Sequence, residues 1–310
     1  MKKVILFSAM LTFVCIMAGC NTKEASGSTE DTDNSVSNVI IDLPPENSGY
    51  SQRTQTTDEW EFRYDEQLGG IIITDCLCAN ERSNKRVYNA VDDVVVPSEF
   101  EGFEGLKVLE IAPNALGDLE CNSITLPDGL LYIDKDAFAY SIITEPLIIP
   151  QSVTDMSEDA LHCLFCDEVE LPPLEIIPKN LFEGSNIKRL TLPSTVTKIE
   201  EYAFNKCYYL AEFICDENLK EIGDYAFCGC GNLETITFNE GLEQIGLNAF
   251  ADTTKLSMPV YLPDTLTTIK YSHRIWAFGT TDFSGESLEF VYKGETYKYS
   301  EIIELIGSEE

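Results

Sequence analysis

The sequence has 310 residues, of which 44% are hydrophobic, and a formal net charge of −32. A polyanion of this kind repels nucleic acid and anionic lipid, and the chain has no basic stripe that would release counterions, so nucleic-acid binding and unassisted docking on anionic membranes are excluded. Eleven cysteines accompany only two histidines, His162 and His273, which excludes a histidine-rich metal site.

The first twenty residues have the composition of an export signal. Two lysines at positions 2 and 3 precede an apolar run from Val4 to Ala18, which is shorter than the roughly 20 residues that a bilayer span needs. The run ends Ile16-Met17-Ala18-Gly19-Cys20, which resembles the lipobox of bacterial lipoproteins, with Ile16 in place of the usual leucine. The resemblance implies a signal peptide over 1–19, a lipidated Cys20, and a chain that is exported and lipid-anchored at the bacterial cell surface. A plain secretory signal that is cut elsewhere is the alternative.

A linker and an N-terminal cap are predicted next. Between positions 20 and 58 the chain is rich in Ser, Thr, Asp and Glu, and so few apolar residues cannot offset the entropy cost of ordering it, which predicts a disordered acidic linker. From residue 59 onwards, an alternating stretch from Trp60 to Tyr64, a turn at Gly69-Gly70 and an apolar stretch from Ile71 to Thr74 predict a β-hairpin. With a polar loop from Ala79 to Asp93, this hairpin is predicted to cap the fold over 59–93.

A repeat of about 23 residues organises the segment 94–282. Its isoleucine column, which has methionine in one copy, comprises Ile111, Ile133, Met156, Ile177, Ile199, Ile222, Ile245 and Ile269. Five residues further on, a phenylalanine column comprises Leu116, Phe138, Leu161, Phe182, Phe204, Phe227 and Phe250. A fixed period in the twenties predicts a solenoid, in which each coil buries its apolar face against its neighbours.

Upstream of each isoleucine, a short segment alternates in the manner of a strand with one buried face. The inward pairs are Ile124 and Leu126, Leu147 and Ile149, Val169 and Leu171, Leu190 and Leu192, Phe213 and Cys215, Ile236 and Phe238, and Val260 and Leu262. Proline follows the strand in most copies and sets a corner, because it has no N–H to donate. A second corner is predicted after the isoleucine, at Gly223 and Gly246.

These motifs resemble the leucine-rich repeats of the BspA or treponemal type, whose unit reads roughly L-x-x-I-x-L-P-x-x-V-x-x-I-G-x-x-A-F-x-x-C. The resemblance implies a β-rich solenoid of about eight coils, with short strands and short helical turns, capped by β-hairpins at both ends. The C-terminal cap is predicted over 283–310, with a hairpin that turns at Lys293-Gly294 and a short helix that Ser300 caps.

Five of the eleven cysteines coincide with inward positions of the repeat, where a free thiol acts as a small hydrophobe. These are Cys121, Cys166, Cys207, Cys215 and Cys230. Three alternatives stay open. They are a redox pair in Cys163-Leu164-Phe165-Cys166, a zinc site of Cys76, Cys78, Cys228 and Cys230, and a disulfide between Cys207 and Cys230.

The sequence contains none of the motifs G-x-S-x-G, G-x-x-x-x-G-K and H-E-x-x-H, so no residue is assigned to catalysis, to a metal or to a cofactor. Solenoids bind along their strand surface, so the outward residue of each strand is predicted to line one continuous binding face: Thr125, Ile148, Glu170, Thr191, Ile214, Thr237 and Tyr261. Ile148, Ile214 and Tyr261 are predicted contact anchors. Their alternative interpretation is β-propensity on a partly shielded sheet.

The family resemblance implies an adhesin. Its partners would be host extracellular or plasma proteins, or the surfaces of other bacteria, and it would touch the membrane only through the lipid on Cys20. An architectural envelope lipoprotein without a dedicated ligand explains the charge, the linker and the repeats equally well. An enzyme subunit is the third alternative, because a catalytic group gathered from several coils would leave no linear motif.

Overall fold

The structure is a computed structural model, and it describes residues 54–77, 91–271, 278 and 288–309. The lipobox with Cys20, the predicted linker up to residue 53, and residues 78–90 of the predicted loop region lie outside the described residues.

The described residues form short strands and one helix. In chain order these are β1 (Thr54–Thr56), β2 (Trp60–Asp65), β3 (Gly70–Cys76), β4 (Val91–Val95), β5 (Val108–Ile111), β6 (Glu120–Thr125), β7 (Tyr132–Ile133), β8 (Ile142–Ile143), β9 (Leu147–Ile148), β10 (Asp155–Met156), β11 (Glu168–Glu170), β12 (Ile176–Ile177), β13 (Arg189–Thr191), β14 (Lys198–Ile199), β15 (Glu212–Ile214), β16 (Glu221–Ile222), β17 (Thr235–Thr237), β18 (Gln244–Ile245), β19 (Val260–Tyr261), β20 (Thr268–Tyr271), β21 (Glu289–Tyr292), β22 (Glu295–Lys298), α1 (Tyr299–Ile306) and β23 (Gly307–Glu309). The predicted β-rich repeat fold is confirmed.

The first ladder of strands aligns the isoleucine column. Its residues pair in parallel register, Ile111 with Ile133, Ile133 with Met156, Ile177 with Ile199, Ile199 with Ile222, Ile222 with Ile245, and Ile245 with Ile269. All eight column residues are buried. The ladder consists of two six-stranded sheets, β1-β2-β3-β5-β7-β10 and β12-β14-β16-β18-β20-β23. The predicted column is therefore confirmed, with one interruption between β10 and β12.

The phenylalanine column is a stack of rings in the core. Ring centroids lie 5.4 Å apart for Phe182 and Phe204, 4.9 Å for Phe204 and Phe227, and 5.2 Å for Phe227 and Phe250. Phe278 continues the stack, 5.0 Å from Phe250. Phe278 lies nine residues after Ile269, whereas the other members of the column lie five residues after their isoleucine slot, so the longer spacing leaves the ring in the stack.

The second ladder, which carries the predicted binding residues, is broken into four short sheets: β4-β6-β8, β9-β11-β13, β15-β17 and β19-β21-β22. The second ladder is therefore not hydrogen-bonded along its whole length, although β6 and β9, and β13 and β15, are still neighbours across two of the breaks. Two of the breaks coincide with prolines, because Pro146 directly precedes Leu147 in β9 and Pro259 directly precedes Val260 in β19. A proline has no N–H to donate to the neighbouring strand, so a ladder stops there.

Each of the seven coils from Ile111 to Ile245 turns through two residues in the left-handed region, with φ between 51° and 76°. One column follows the isoleucine by three residues: Asn114, Asp136, Asp159, Asn180, Tyr202, Tyr225 and Asn248. The other follows it by seven: Asp118, Tyr140, Cys163, Gly184, Lys206, Gly229 and Asp252. A left-handed residue ends a right-handed helical segment, so the predicted helical turns are hydrogen-bonded turns that do not extend into helices.

Gly223 and Gly246 lie at the predicted corner, directly after the strands that end at Ile222 and Ile245. Gly223 and Gly246 do not have positive φ values, and they sit where neighbouring coils approach closely. A Cβ atom at position 223 would lie 2.7 Å from the carbonyl carbon of Glu200 and 2.9 Å from the carbonyl oxygen of Ile199. These glycines are therefore required for the approach of two backbones.

A column of small hydrogen-bond donors lies three residues after the phenylalanine slot. It comprises Ser141, Ser185, Cys207, Cys230 and Thr253, all buried. The Cys207 thiol donates to the carbonyl of Phe182 at 3.1 Å, and the Cys230 thiol donates to that of Phe204 at 3.2 Å. Ser185 donates in the same way to the carbonyl of Leu161 at 2.8 Å. The cysteines are therefore core residues, as predicted, and they also act as hydrogen-bonding equivalents of serine.

The N-terminal cap is the predicted hairpin with one additional strand. β2 pairs antiparallel with β3, and β3 pairs in parallel with β5 of the first coil. β1 pairs antiparallel with β2, Thr54 opposite Arg63, so Thr54–Thr56, which lies in the segment predicted to be a disordered linker, forms a strand. β4 occupies positions 91–95, so the predicted loop ends before Val91.

The C-terminal cap combines a hairpin, the helix and a last strand. β21 pairs with β19, β22 pairs with β21, and β23 pairs with β20, so both ladders are closed at this end. The prediction that Ser300 caps the helix is wrong, because the N-cap residue is Lys298 and Ser300 lies inside the helix. The Lys298 backbone N–H donates to the Glu301 carboxylate at 2.7 Å, which satisfies one of the unpaired groups at the helix start.

Candidate binding face

The outward residues of the second ladder form the surface called the strand face below. Its seven predicted members are all exposed: Thr125, Ile148, Glu170, Thr191, Ile214, Thr237 and Tyr261. Register places Glu170 between Ile148 and Thr191 on neighbouring strands, and Ile214 beside Thr237. Their exposure follows from the alternation of the strands, whose other side chains fill the core.

Four large apolar side chains on this face point to solvent. The exposed fractions are 63% for Val95, 56% for Ile148, 57% for Ile214 and 66% for Tyr261. Val95 was not among the predicted residues, although the run Val94-Val95-Val96-Pro97 shows the same alternation and terminal proline as the later strands. It pairs in register with Thr125, so it extends the strand face by one strand.

The positions of these four side chains follow a rule. Val95, Ile148, Ile214 and Tyr261 lie on β4, β9, β15 and β19, and each of these is the first strand of one of the four short sheets. Each apolar side chain therefore stands on an edge strand, with a paired strand on one side only. A β-branched or aromatic residue is stabilised in a sheet by neighbours that cover it, and among the described strands each of these four has a hydrogen-bonded neighbour on one side only. This placement favours the interpretation as contact anchors over that of β-propensity alone.

The charged groups of the strand face are mostly acidic. Arg189 is the one basic residue in the second-ladder strands from β4 to β19, and its guanidinium lies 2.9 Å from the Glu168 carboxylate. Glu170 and Glu212 are exposed, and their carboxylates form no hydrogen bond or ion pair with another described residue. The face therefore presents acidic groups that its own basic residue does not neutralise.

A recess of about 470 Å³ opens on the strand face between the third and fifth coils. Its walls include Gln151 after β9, Glu170 on β11, Pro173 after β11, and Ser194 after β13. This volume lies within the range of about 300–1,000 Å³ in which protein pockets hold small ligands or side chains. No linear motif marks this recess, because its lining comes from three separate coils.

The thiols considered for redox chemistry are arranged as packing residues. Cys163 and Cys166 are both free, and burial raises the pKa of each thiol. The Cys163 Sγ lies 3.3 Å from the Nε2 atom of His162, which is 3.5 Å from the Tyr140 hydroxyl. Because a reactive thiol has a lowered pKa, these raised values argue against the redox alternative.

The two other cysteine alternatives also find no support. Cys207 and Cys230 are both free, so no disulfide joins them. Cys76 is disulfide-bonded and is not available as a zinc ligand. Within the described ranges, no group of three or more His, Cys, Asp and Glu side chains is arranged to hold a metal ion.

A half-buried carboxyl lies in the first ladder. Glu110 of β5 has a pKa raised to about 7, first because burial removes the carboxyl from water and then because of the negative charge of Asp134. The positive charge of Arg63 opposes this shift, and Asp65 adds to it. Glu110 therefore affects stability rather than the strand face.

Comparison with known proteins identifies the repeat. The sequence matches the family described as a BspA-type leucine-rich repeat region, in six copies over residues 105–187 and 175–273. Together these cover more than half of the 310 residues. No curated protein matches the sequence.

Several solved leucine-rich repeat structures are similar to this chain. A protein from T. pallidum is 22% identical, with a TM-score of 0.34, and the match covers 71% of this chain and 76% of that one. A protein from Bacteroides ovatus is 18% identical, with a TM-score of 0.43 and coverage of 77% and 70%. The pneumococcal vaccine antigen PcpA is 15% identical, with a TM-score of 0.31 and coverage of 83% and 97%.

Among the residues that the structure describes, no helix combines the length and the apolar character needed to cross a bilayer.

Proposed function

The chain belongs to the family of BspA-type leucine-rich repeat proteins, and from this premise we propose that it is a cell-surface lipoprotein that binds other proteins through the strand face and thereby mediates adhesion. The observation that carries the proposal is the placement of Val95, Ile148, Ile214 and Tyr261, which are exposed on the edge strands of four successive sheets. Exposed apolar side chains that recur along one face provide the buried contacts of a protein interface once a partner covers them.

The solenoid supports this function physically. Interior columns hold each coil against the next, so the outward residues contribute little to the fold and are free to define a binding surface. A partner that spans several coils would engage more than one anchor, and each engagement after the first would be intramolecular. Repeated apolar anchors thus favour an extended macromolecular partner over a small molecule.

The proposed location rests on the sequence. The lipobox ending at Cys20 would attach the chain to the membrane, and the acidic linker would separate the repeats from the lipid surface. The proposed partners are host extracellular or plasma proteins, or proteins on other bacteria. They would carry basic groups, because the chain has a net charge of −32.

The test is a triple substitution of the anchors. We expect Ile148→Glu, Ile214→Glu and Tyr261→Glu together to abolish binding of the full chain to immobilised plasma and matrix proteins and to whole bacteria, because three anchors would become charged. The melting temperature should stay within a few degrees of wild type, because all three side chains are exposed.

A matched control keeps the charge change constant. Ile176, Tyr208 and Leu305 are also exposed apolar residues, but they lie off the strand face. Replacing these three with glutamate adds the same negative charge and should leave binding intact. Unchanged binding by the anchor variant would contradict the proposal, and a chain that binds nothing in either form would favour the architectural alternative.

A further inference from the structure

The recess on the strand face arises from a local shortening of the fourth coil. Seven residues separate the second inward strand residue from the isoleucine column in most coils, as between Leu192 and Ile199, but only six separate Leu171 from Ile177. The missing residue belongs to the corner after β11, where Pro172-Pro173 occupies the place that Pro193-Ser194-Thr195 occupies in the next coil. The first ladder is interrupted between β10 and β12, at this same coil. The shorter corner thus leaves a gap between the corners of the third and fifth coils.

The lining of the recess combines an unpaired carboxylate with apolar walls. Glu170 is exposed, and its carboxylate forms no hydrogen bond or ion pair with another described residue. Pro173 and Pro193 form apolar parts of the wall. Arg189 also lines the recess, but its guanidinium lies 2.9 Å from Glu168. The recess therefore offers one free negative charge beside surfaces that can pack against methylene groups.

The surroundings of the recess are acidic as well. The corners that follow the other second-ladder strands carry exposed carboxylates: Asp128, Glu217, Glu240 and Asp264. A negatively charged ligand would be repelled along the whole face, whereas a positively charged one would be attracted. Charge complementarity thus selects a cationic occupant.

We propose that this recess binds an arginine or lysine side chain of a partner protein, with its stem against Pro173 and Pro193 and its head on the Glu170 carboxylate. The long side chains of arginine and lysine bury an apolar stem while the charged head stays at a polar site. A charge-assisted hydrogen bond to a carboxylate is stronger than a neutral one, and arginine can form two at once. Ile148 lies beside Glu170 in register, so apolar residues that flank the basic residue would contact this anchor. The proposal rests on the proposed function of the strand face and assigns it a specificity.

The test uses defined peptides and the full chain. The probe is a labelled peptide of glycine and serine that carries one arginine between two leucines, and its variants have lysine, glutamine or glutamate in place of the arginine. We expect the arginine and lysine peptides to bind more tightly than the glutamine peptide, and the glutamate peptide not to bind. Removing the carboxylate with Glu170→Gln should weaken binding of the arginine peptide by about tenfold or more, which is the loss expected for a hydrogen bond to a charged group.

Two further variants separate the recess from general electrostatic attraction. Glu212→Gln removes the same charge from an exposed position on the same face and should change binding by less than about twofold. Inserting a serine between Pro173 and Leu174 gives the fourth coil the corner length of the fifth and fills the recess while every charge is kept. We expect this insertion to reduce binding as much as Glu170→Gln does. If the insertion prevents folding, the comparison of Glu170→Gln with Glu212→Gln decides.

Equal binding of the arginine and glutamine peptides, or equal losses from Glu170→Gln and Glu212→Gln, would refute the recess as a basic-residue site. The anchor variant of Ile148, Ile214 and Tyr261, assayed against immobilised proteins and bacteria, reports on the proposed function separately. If that variant loses binding while the peptides show no preference, the strand face is an interface and the recess is not its specificity site.

Discussion

Removing one ring from the phenylalanine column gives the most direct test of the repeat. Phe227 is fully buried, and its ring centroid lies 4.9 Å from that of Phe204, 5.2 Å from that of Phe250 and 4.3 Å from that of Phe213. Truncating a buried phenylalanine to alanine costs about 3–5 kcal/mol. Because three ring contacts are lost with it, each worth about 0.5–1.5 kcal/mol beyond buried area, we expect a value near the upper end of that range.

The leucine variant separates the ring contacts from the cavity. Leu116 and Leu161 occupy the same slot in other coils and are buried there, so the column accepts leucine sterically. Phe227→Leu fills most of the space but loses the stacking, and we expect it to cost about 1–2 kcal/mol. The difference between the two variants measures the cavity left by alanine.

The free energy of unfolding is measured by urea unfolding monitored with far-UV circular dichroism, and the melting temperature is measured by calorimetry. For a folded region of this size, a loss of about 5 kcal/mol lowers the melting temperature by roughly 10–20 °C. A repeat stack that is destabilised at one central coil can also unfold in two steps, because coils interact only with their neighbours. Phe165, which is partly exposed, serves as the control, and its alanine variant should cost less than about 1 kcal/mol. A loss below about 1 kcal/mol for Phe227→Ala would show that the column does not form the core.

Two further predictions concern titratable groups. In the native chain, maleimide should label Cys163 and Cys228, which are partly exposed. It should label Cys207 and Cys230 only after unfolding, because burial shields the thiols of Cys207 and Cys230 and raises their pKa. Mass spectrometry of labelled peptides measures this, and rapid labelling of Cys230 in the folded protein would contradict it. Glu110, whose pKa is raised from 4.5 to about 7, stabilises the fold when protonated, and that contribution is present below about pH 4.5 and is lost as the pH rises through 7. Glu110→Gln should therefore be more stable than wild type at pH 8, by on the order of 3 kcal/mol, and this difference should shrink towards pH 4.5. Equal urea midpoints of the two proteins at pH 8 would refute the raised pKa of Glu110.

The interior of the fold could be predicted because burial requires apolar residues at periodic positions of the sequence. A side chain that must face the core in every coil is restricted to apolar types, so Ile199, Ile222 and Ile245 recur at a fixed spacing and lie in register. The same logic predicts from the sequence alone that Cys207 and Cys230 are core residues. It did not show that their slot is also a hydrogen-bonding column. A buried cysteine appears simply apolar in a sequence, and the carbonyl that accepts its hydrogen bond belongs to the preceding coil.

The features that escaped prediction depend on backbone geometry. Left-handed turns are filled by Asn, Asp, Tyr, Lys and Cys as well as glycine, so residue type alone does not mark them. The short corner from Leu171 to Ile177 is visible in the sequence, but a pattern does not show that a shorter corner opens a recess between the coils on either side. The structure shows that the recess opens beside this corner.

The separation between core columns and strand face is what makes the binding tests interpretable. The free energy that holds one coil on the next comes from buried residues such as Ile222 and Phe227, whereas an exposed residue away from special features typically changes stability by less than about 0.5 kcal/mol. A glutamate at Ile148 or Ile214 therefore adds charge where a partner would dock without removing a core contact. The breaks in the second ladder reinforce this separation, because the anchors stand at sheet edges where fewer neighbours depend on them. A loss of binding at unchanged melting temperature would thus be assigned to the face itself, and a large fall in melting temperature would show that the anchors belong to the core.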